Sequence, residues 1–242
     1  MGIVIAILGL CLGGLLKGAT GAGAPIIAIP ILAMYFDVPL AVTIFVMPNL
    51  LTNLWQSWTY REHQLPPRFV ILFAGGGGIG AGIGTVLLAN LPAAALTTTV
   101  AFAVFAYLLF RVFHPDWVLS YALAERLAFP ASAVAGALGG AAGISAPVSL
   151  TFLNAMRLKR PQFIATISIF FIMMGLVQVP MLIAYNFMDW TRFMLSVGAI
   201  FPVLAFMPAG AWLARYISPV VFDRIILILL AAIAARLILQ AW

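Results

Sequence analysis

The chain has 242 residues, of which 65% are hydrophobic and 7% are charged, and its 12 basic and 6 acidic residues give a net charge of +6. Soluble domains carry about 25% charged residues, so this composition excludes a water-soluble fold and indicates a protein embedded in a lipid bilayer. The basic excess does not indicate nucleic-acid binding, because the cations are few and are scattered between apolar segments, where they orient membrane helices.

Eight apolar stretches follow one another along the chain, four on each side of a polar connector. Backbone groups in lipid must pair internally, and helices of about 20 residues achieve this across a bilayer. We therefore predict an all-α polytopic membrane protein with an N-terminal repeat over 1–113, a connector over 114–126 and a C-terminal repeat over 127–242, in one transmembrane domain. The predicted stretches are 2–36, 40–58, 69–89, 92–110, 127–156, 161–186, 193–214 and 220–241.

The two halves of the chain match each other in sequence. The positions shared by residues 14–25 and 136–147 include those of Gly14, Gly18, Gly21, Ala24 and Pro25, each matched at a constant offset of 122 residues. Gln56 matches Gln178 at the same offset. A series of this length is not expected by chance even in a glycine-rich chain, so we interpret it as an internal duplication.

The basic residues indicate how the two repeats are oriented. If every stretch crossed the membrane once, six basic residues would face one side and five the other, which conflicts with the positive-inside rule. If the first stretch of each half returns to its starting side, nine face one side, and Arg192 and Arg236 face the other. We therefore predict two inverted repeats, each with a broken, re-entrant helix plus three transmembrane helices, and both termini outside the cytoplasm.

Each repeat opens with a segment that we expect to break at small residues. A continuous helix over residues 2–36 would be about 50 Å long, whereas the hydrocarbon core is about 30 Å thick. A helix that restarts in mid-membrane presents free N–H groups and a positive dipole end to an anion. The predicted anion-binding residues are Thr20, Gly21, Ala22, Gly23 and Ala24 in the first repeat and Gly143, Ile144, Ser145 and Ala146 in the second.

Lys17 is the one charged residue well inside an apolar stretch. We interpret it as a cationic partner for an anionic substrate; the alternative is that it reaches the interface and fixes the depth of its helix. Asn49, Asn53 and Gln56 share one helix face and, with Gln178, are predicted to line the substrate cavity. The alternative for these amides is hydrogen bonding between packed helices.

The acidic residues lie in or near loops, so no acid is positioned for a proton relay in the membrane. With the cell interior negative, each exported negative charge gains about 2.3 kcal/mol per 100 mV, which favours export of an anion. The lone Cys11 and the lack of histidines and acids at membrane depth predict no metal site, no cofactor and no enzyme activity.

The glycine-rich segments that run into Pro25 and Pro147, together with the chain length, resemble the sulfite exporter TauE/SafE family, also called the toluene-sulfonate uptake permease family. The resemblance covers essentially the whole chain. It implies a secondary transporter, acting as an exporter, for small sulfur-containing or organic anions such as sulfite or sulfonates in the bacterial inner (plasma) membrane. Ala24, Ser145 and Ala146 stand where the family commonly has glycine, so the identity of the substrate stays open.

Two alternatives to a sulfur-anion carrier stay open at this point. One is an anion channel of the same architecture, and the other is a carrier for a non-sulfur carboxylate. The expected partners are a small anionic substrate and the lipid bilayer, not nucleic acid, with a homodimer as a further option.

Overall fold

The computed structural model describes residues 2–113, 117–216 and Ile228, and these residues form helices and connecting turns without strands. A short 3-10 helix over Arg61–His63 joins the third and fourth α-helices. The α-helices in the described part of the chain are α1 (Gly2–Thr20), α2 (Ala24–Ala33), α3 (Val38–Thr59), α4 (Pro67–Asn90), α5 (Ala93–Phe113), α6 (Tyr121–Ala142), α7 (Ala146–Ala155), α8 (Arg160–Ala184), α9 (Trp190–Gly198) and α10 (Ile200–Leu213).

Five helical segments of the described chain are long and apolar enough to cross a bilayer, which confirms the predicted all-α membrane protein. One of the five comprises α9 and α10 together. The last predicted stretch, 220–241, lies outside the described residues apart from Ile228. The segments are Gly2–Thr20, Val38–Thr59, Pro67–Asn90, Arg160–Ala184 and Trp190–Leu213.

Aspartate side chains cap the N-termini of two of the helices. Asp37 accepts a hydrogen bond from the backbone N–H of Leu40 at 2.7 Å before α3. Asp189 accepts one from the N–H of Arg192 at 2.7 Å before α9. These caps satisfy N–H groups that a helix start leaves unpaired, and so they account for two of the acidic residues found outside the apolar stretches.

The short helices α2 and α7 fold back toward the start of the helix that precedes each of them. A Cβ at Gly13 of α1 would lie 3.1 Å from the Cβ of Ala28, and Gly9, one turn earlier, packs against Ile31, one turn later. At α7, the carbonyl oxygen of Ala155 accepts a hydrogen bond at 2.8 Å from the N–H of Leu119, which precedes α6. Each long helix and its short successor therefore form an antiparallel pair.

Glycines bring two further pairs of helices into backbone contact. In the pair α4 and α6, a Cβ at Gly84 would overlap the carbonyl oxygen of Ala137, and in the pair α1 and α10 a Cβ at Gly210 would overlap that of Leu15. Small residues allow membrane helices to approach this closely. Two more contacts recur at matching positions of the two helix pairs. Gly136 contacts Gly77 where Gly14 contacts Val203, and Gly140 contacts Ala81 where Gly18 contacts Met207.

Helices α3 and α8 pack in opposite directions. Gly175, in the second half of α8, lies against Leu50 near the middle of α3. Thr59 at the end of α3 and Arg160 at the start of α8 line the same cavity. The end of α3 and the start of α8 therefore lie at the same end of the molecule.

Candidate functional site

The first helix break lies between α1 and α2 and is buried. Gly21 and Gly23 have φ angles of 84° and 88°, which glycine adopts without the steric penalty of other residues. Ala22 between them is fully buried, and Gly21 packs against the Ile164 side chain of α8. The turn therefore requires glycine, and the neighbouring helix leaves no space for a Cβ at Gly21.

The hydroxyl of Thr20 is engaged within this turn. It donates to the carbonyl oxygen of Leu16 at 2.8 Å, contacts the carbonyl oxygen of Ala22 and accepts from the N–H of Ala22 at 3.2 Å. In this conformation Thr20 shapes the turn rather than presenting a free donor. Its direct contact with an anion stays a prediction.

The second break, between α6 and α7, contains another left-handed glycine. Gly143 has a φ angle of 73° and packs against Ile29, in the second turn of α2. Ile144 and Ser145 are buried, and the hydroxyl of Ser145 accepts a hydrogen bond from that of Ser149 at 3.2 Å. The second break therefore contacts the short helix that follows the first.

The starts of α2 and α7 lack side-chain caps. Neither Gly23 nor Ser145, the residues that precede these helices, makes a capping hydrogen bond. A proline occupies the first turn of each helix, where its missing N–H is not needed. Ala24 and Ala146 are buried, so both starts present backbone N–H groups and a positive dipole end within the protein interior.

Lys17, in the last turn of α1, is buried with 1% of its surface exposed. Its ammonium Nζ donates to Oδ1 of Asn53 at 2.9 Å and lies 5.9 Å from the ring centroid of Phe171. The amide nitrogen of Asn53 donates in turn to the backbone oxygen and Oδ1 of Asn49, at 2.7 and 2.9 Å. Three of the predicted site residues therefore form one hydrogen-bonded chain that joins α1 to α3.

The charge of Lys17 has no carboxylate partner in the described part of the chain. The ion pairs there join Arg61 to Glu62 and Arg192 to Asp189, all with exposed side chains. A buried ammonium is costly unless a counter-charge and hydrogen bonds compensate it, and asparagine supplies only a dipole. The burial of Lys17 favours the interpretation that it pairs with a substrate over the alternative that its side chain reaches the membrane surface.

A protein-family model described as "Sulfite exporter TauE/SafE" matches residues 5–237 of the chain. The chain belongs to the TauE/SafE sulfite exporter family. No match was found among curated proteins or among solved structures. TauE/SafE proteins are membrane transporters, which are not a class of enzyme. This TauE/SafE protein is thus a multi-pass membrane protein of transporter type, and the family predicted from its sequence motifs is confirmed.

The Lys17–Asn53 pair of this TauE/SafE protein has no equivalent at the positions 122 residues later in the chain. The residues 122 positions later are Gly139 and Gly175. A Cβ at Gly139 would overlap the Cε methyl group of Met174, so an apolar side chain occupies the space beside that backbone. The matched positions therefore supply one buried cation instead of two.

The two repeat-related glutamines have different surroundings. Nε2 of Gln178 donates to the carbonyl oxygen of Gly140 at 3.3 Å and links α8 to α6. Oε1 of Gln56 is buried and has no hydrogen-bond partner within the described part of the chain, and Gln56 lines a cavity of about 460 Å³ together with Gly21. Gln178 thus makes a helix-packing contact, whereas Gln56 keeps a buried acceptor oxygen that can receive a hydrogen bond but cannot donate one to an oxyanion.

Two buried hydroxyls of α8 were absent from the predicted site. The side chains of Thr166 and Ser168 are buried, and neither hydroxyl has a hydrogen-bond partner among the described residues. Ser168 shares a helix face with Ile164 and Phe171, the residues that contact Gly21 and Lys17. A serine in the middle of an apolar helix is the sequence signal for this position, but the contacts of Ile164 and Phe171 on the same face are visible only in the fold.

The described residues contain no group of three or more His, Cys, Asp or Glu side chains that could hold a metal ion. Buried hydrogen-bond donors lie around the first helix break and describe what this region can bind. They are the Lys17 ammonium, the Ser168 hydroxyl and the N–H groups at the start of α2. Such a set suits an anion with several oxygen acceptors.

Proposed function

We propose that this TauE/SafE protein is a secondary transporter that exports sulfite or a small sulfonate across the bacterial inner membrane and binds the anion beside Lys17. The observation that carries the proposal is the buried Lys17 ammonium, which hydrogen-bonds to Asn53 and lacks a carboxylate partner among the described residues. The family match over residues 5–237 supports the substrate class.

The oxygens of sulfite and sulfonates can accept hydrogen bonds from several directions at once. Lys17 supplies the charge, and Asn53 holds its Nζ in position. The uncapped start of α2 supplies backbone donors, and Ser168 supplies a hydroxyl on the neighbouring face of α8. Binding energy then comes from neutralising the buried charge of Lys17.

The proposed inverted repeat agrees with several contacts of the described helices. The backbone contacts between α4 and α6 recur between α1 and α10 at matching repeat positions. The fold-back of α2 on α1 fits a re-entrant hairpin. The opposite directions of α3 and α8 fit an inverted relation and not a parallel one. Inverted repeats with broken helices are a transporter architecture that binds substrate between the repeats.

Thermal stability of the purified protein tests the substrate class. A ligand that binds only the folded state stabilises it by about 2.7 kcal/mol at a concentration 100 times its Kd. We expect sulfite or a sulfonate such as sulfoacetate or taurine to raise the melting temperature, and simple carboxylates to leave it unchanged. A shift with carboxylates alone would contradict the proposed substrate and favour a carboxylate carrier.

Flux into proteoliposomes separates a carrier from a channel. A carrier with one site saturates as the sulfite concentration rises, whereas flux through an anion channel continues to rise over the same range. We therefore expect saturable uptake, and a linear dependence would reject the carrier in favour of the channel.

The proposed membrane topology predicts which loops share a side. In a Cys11→Ser background, cysteines introduced at Glu62 and Lys159 should react with a membrane-impermeant maleimide from the cytoplasmic side. A cysteine at Trp190 should react from the opposite side. If every apolar stretch crossed the bilayer once, positions 62 and 159 would be labelled from opposite sides, so that result would refute the re-entrant hairpins.

A further inference from the structure

A cavity of about 460 Å³ opens among the ends of four helices, next to the first helix break. It lies where α1 and α3 end and α8 begins, and where α10 runs into the following turn. The lining residues that bear on its chemistry are Gly18, Gly21, Gln56, Tyr60, Arg160 and Arg215.

Two guanidinium groups give this cavity its charge. Arg160 and Arg215 line it, and the described lining residues include no acid. Nη2 of Arg160 donates to the carbonyl oxygens of Gly18 and Ala19, both at 3.3 Å, and so contacts the last turn of α1. Arg215 makes no ion pair with the described residues. The electrostatics of the cavity therefore favour an anion, because arginine forks match oxyanions.

The cavity also reaches the hydrogen-bonded chain of Lys17. Gln56 lines the cavity and follows Asn53 by three residues, one turn along the same face of α3. Gln56 is 6% exposed. Gly18, which also lines the cavity, directly follows Lys17. The arginines, the glutamine amide and the buried lysine thus follow one another from the molecular surface inward.

We propose that this cavity is a loading site, in which Arg160 and Arg215 bind the oxyanion before it moves to Lys17. The proposal rests on the proposed export function and names the residues that capture the substrate from the cytoplasm. The loading site is distinct from the Lys17 site because its cations are exposed and stand at the ends of other helices. Its role is to raise the local anion concentration, as charged clefts do.

The test compares sulfite transport by variants of the full chain in proteoliposomes. Arg160→Gln and Arg215→Gln should each raise the KM for sulfite by about 10-fold, the effect of losing one charged hydrogen bond, with the maximal rate unchanged. Raised salt should weaken the effect of both arginines. The matched control is Arg61→Gln, because Arg61 is paired with Glu62, stacks on Trp58 and does not line the cavity.

Additional variants guard against misfolding and against a lipid role. Arg160 contacts the α1 carbonyls, so Arg160→Gln could disturb folding as well as substrate binding. Arg160→Lys is therefore compared with it, and the melting temperature of each variant is measured. If Arg160→Gln fails to fold, Arg215→Gln provides the test. If wild-type transport saturates and Arg215→Gln has the same KM as wild type, the loading site is overturned while the proposed function stands. Failure of wild-type protein to transport sulfite or any sulfonate would instead reject the proposed function.

Anionic lipid headgroups share the oxyanion chemistry of the substrate. The lipid composition of the vesicles therefore distinguishes substrate binding by the arginines from lipid binding. The KM increase should be the same in phosphatidylcholine vesicles and in vesicles that also contain phosphatidylglycerol. An increase confined to phosphatidylglycerol vesicles would assign the two arginines to lipid binding and overturn the loading site.

Discussion

The Lys17→Met variant is expected to reach the membrane and fold, yet to transport no sulfite or sulfonate. Methionine keeps much of the aliphatic volume of the buried side chain but removes the ammonium that faces Asn53 and Phe171. Losing one partner of a buried charge pair reduces binding by about 2–5 kcal/mol, which is on the order of 30-fold or more. Transport into proteoliposomes and the sulfite-induced thermal shift measure this loss.

Two further variants separate the charge of Lys17 from its structural contacts. Lys159→Met makes the same substitution at an exposed lysine and should leave transport near the wild-type rate. Asn53→Asp keeps the shape of the hydrogen-bond partner but gives Lys17 a carboxylate, which should neutralise the site and suppress anion transport in a protein that still folds. Wild-type transport by Lys17→Met would remove this residue from the substrate site.

Gly80→Ala is expected to destabilise the protein strongly, whereas Gly75→Ala in the same helix should not. A Cβ at Gly80 would overlap the carbonyl oxygen of Ala133 on α6, but a Cβ at Gly75 meets no atom within 4 Å. Overpacking costs about 1–3 kcal/mol where side chains can shift, and a backbone neighbour cannot shift by itself. Gly75→Ala should leave the free energy of unfolding unchanged or raise it by up to about 1 kcal/mol, because alanine has a higher helix propensity than glycine.

Melting temperatures in detergent, with expression level as a second measure, compare the two glycine variants. The paired design removes the general effect of adding a methyl group to α4. Equal melting temperatures for Gly80→Ala and Gly75→Ala would mean that the stability of the protein does not depend on the close approach of α4 and α6.

Much of the fold follows from local chemistry that is readable in the sequence. Glycine and proline at positions 21–25 predicted the first break, and the structure has left-handed Gly21 and Gly23 at that place. The four-residue spacing of Gly76, Gly80 and Gly84 is typical of close helix packing, and these glycines contact α6. Such features succeed because glycine and proline act on their own backbone or on the surface beside it.

The partners of the site residues could not be predicted in the same way. The spacing of Asn49 and Asn53 indicated a shared face, and they do hydrogen-bond to each other. That Lys17 binds Asn53, 36 residues away, depends on where the fold places the end of α1 relative to α3. The 142-residue separation of Arg160 from Gly18 likewise hid a contact with α1, since the sequence indicated only which side of the membrane the arginine faces.

The backbone contacts of α4 with α6 and of α1 with α10 have a mechanical consequence. Each pair takes one helix from the first half of the chain and one from the second, with glycines in place of side chains at the contact. Without side chains to exchange rotamers, such a contact has no alternative packing to adopt. The two halves are thus held together at these backbone contacts, and any movement of one half against the other has to displace them.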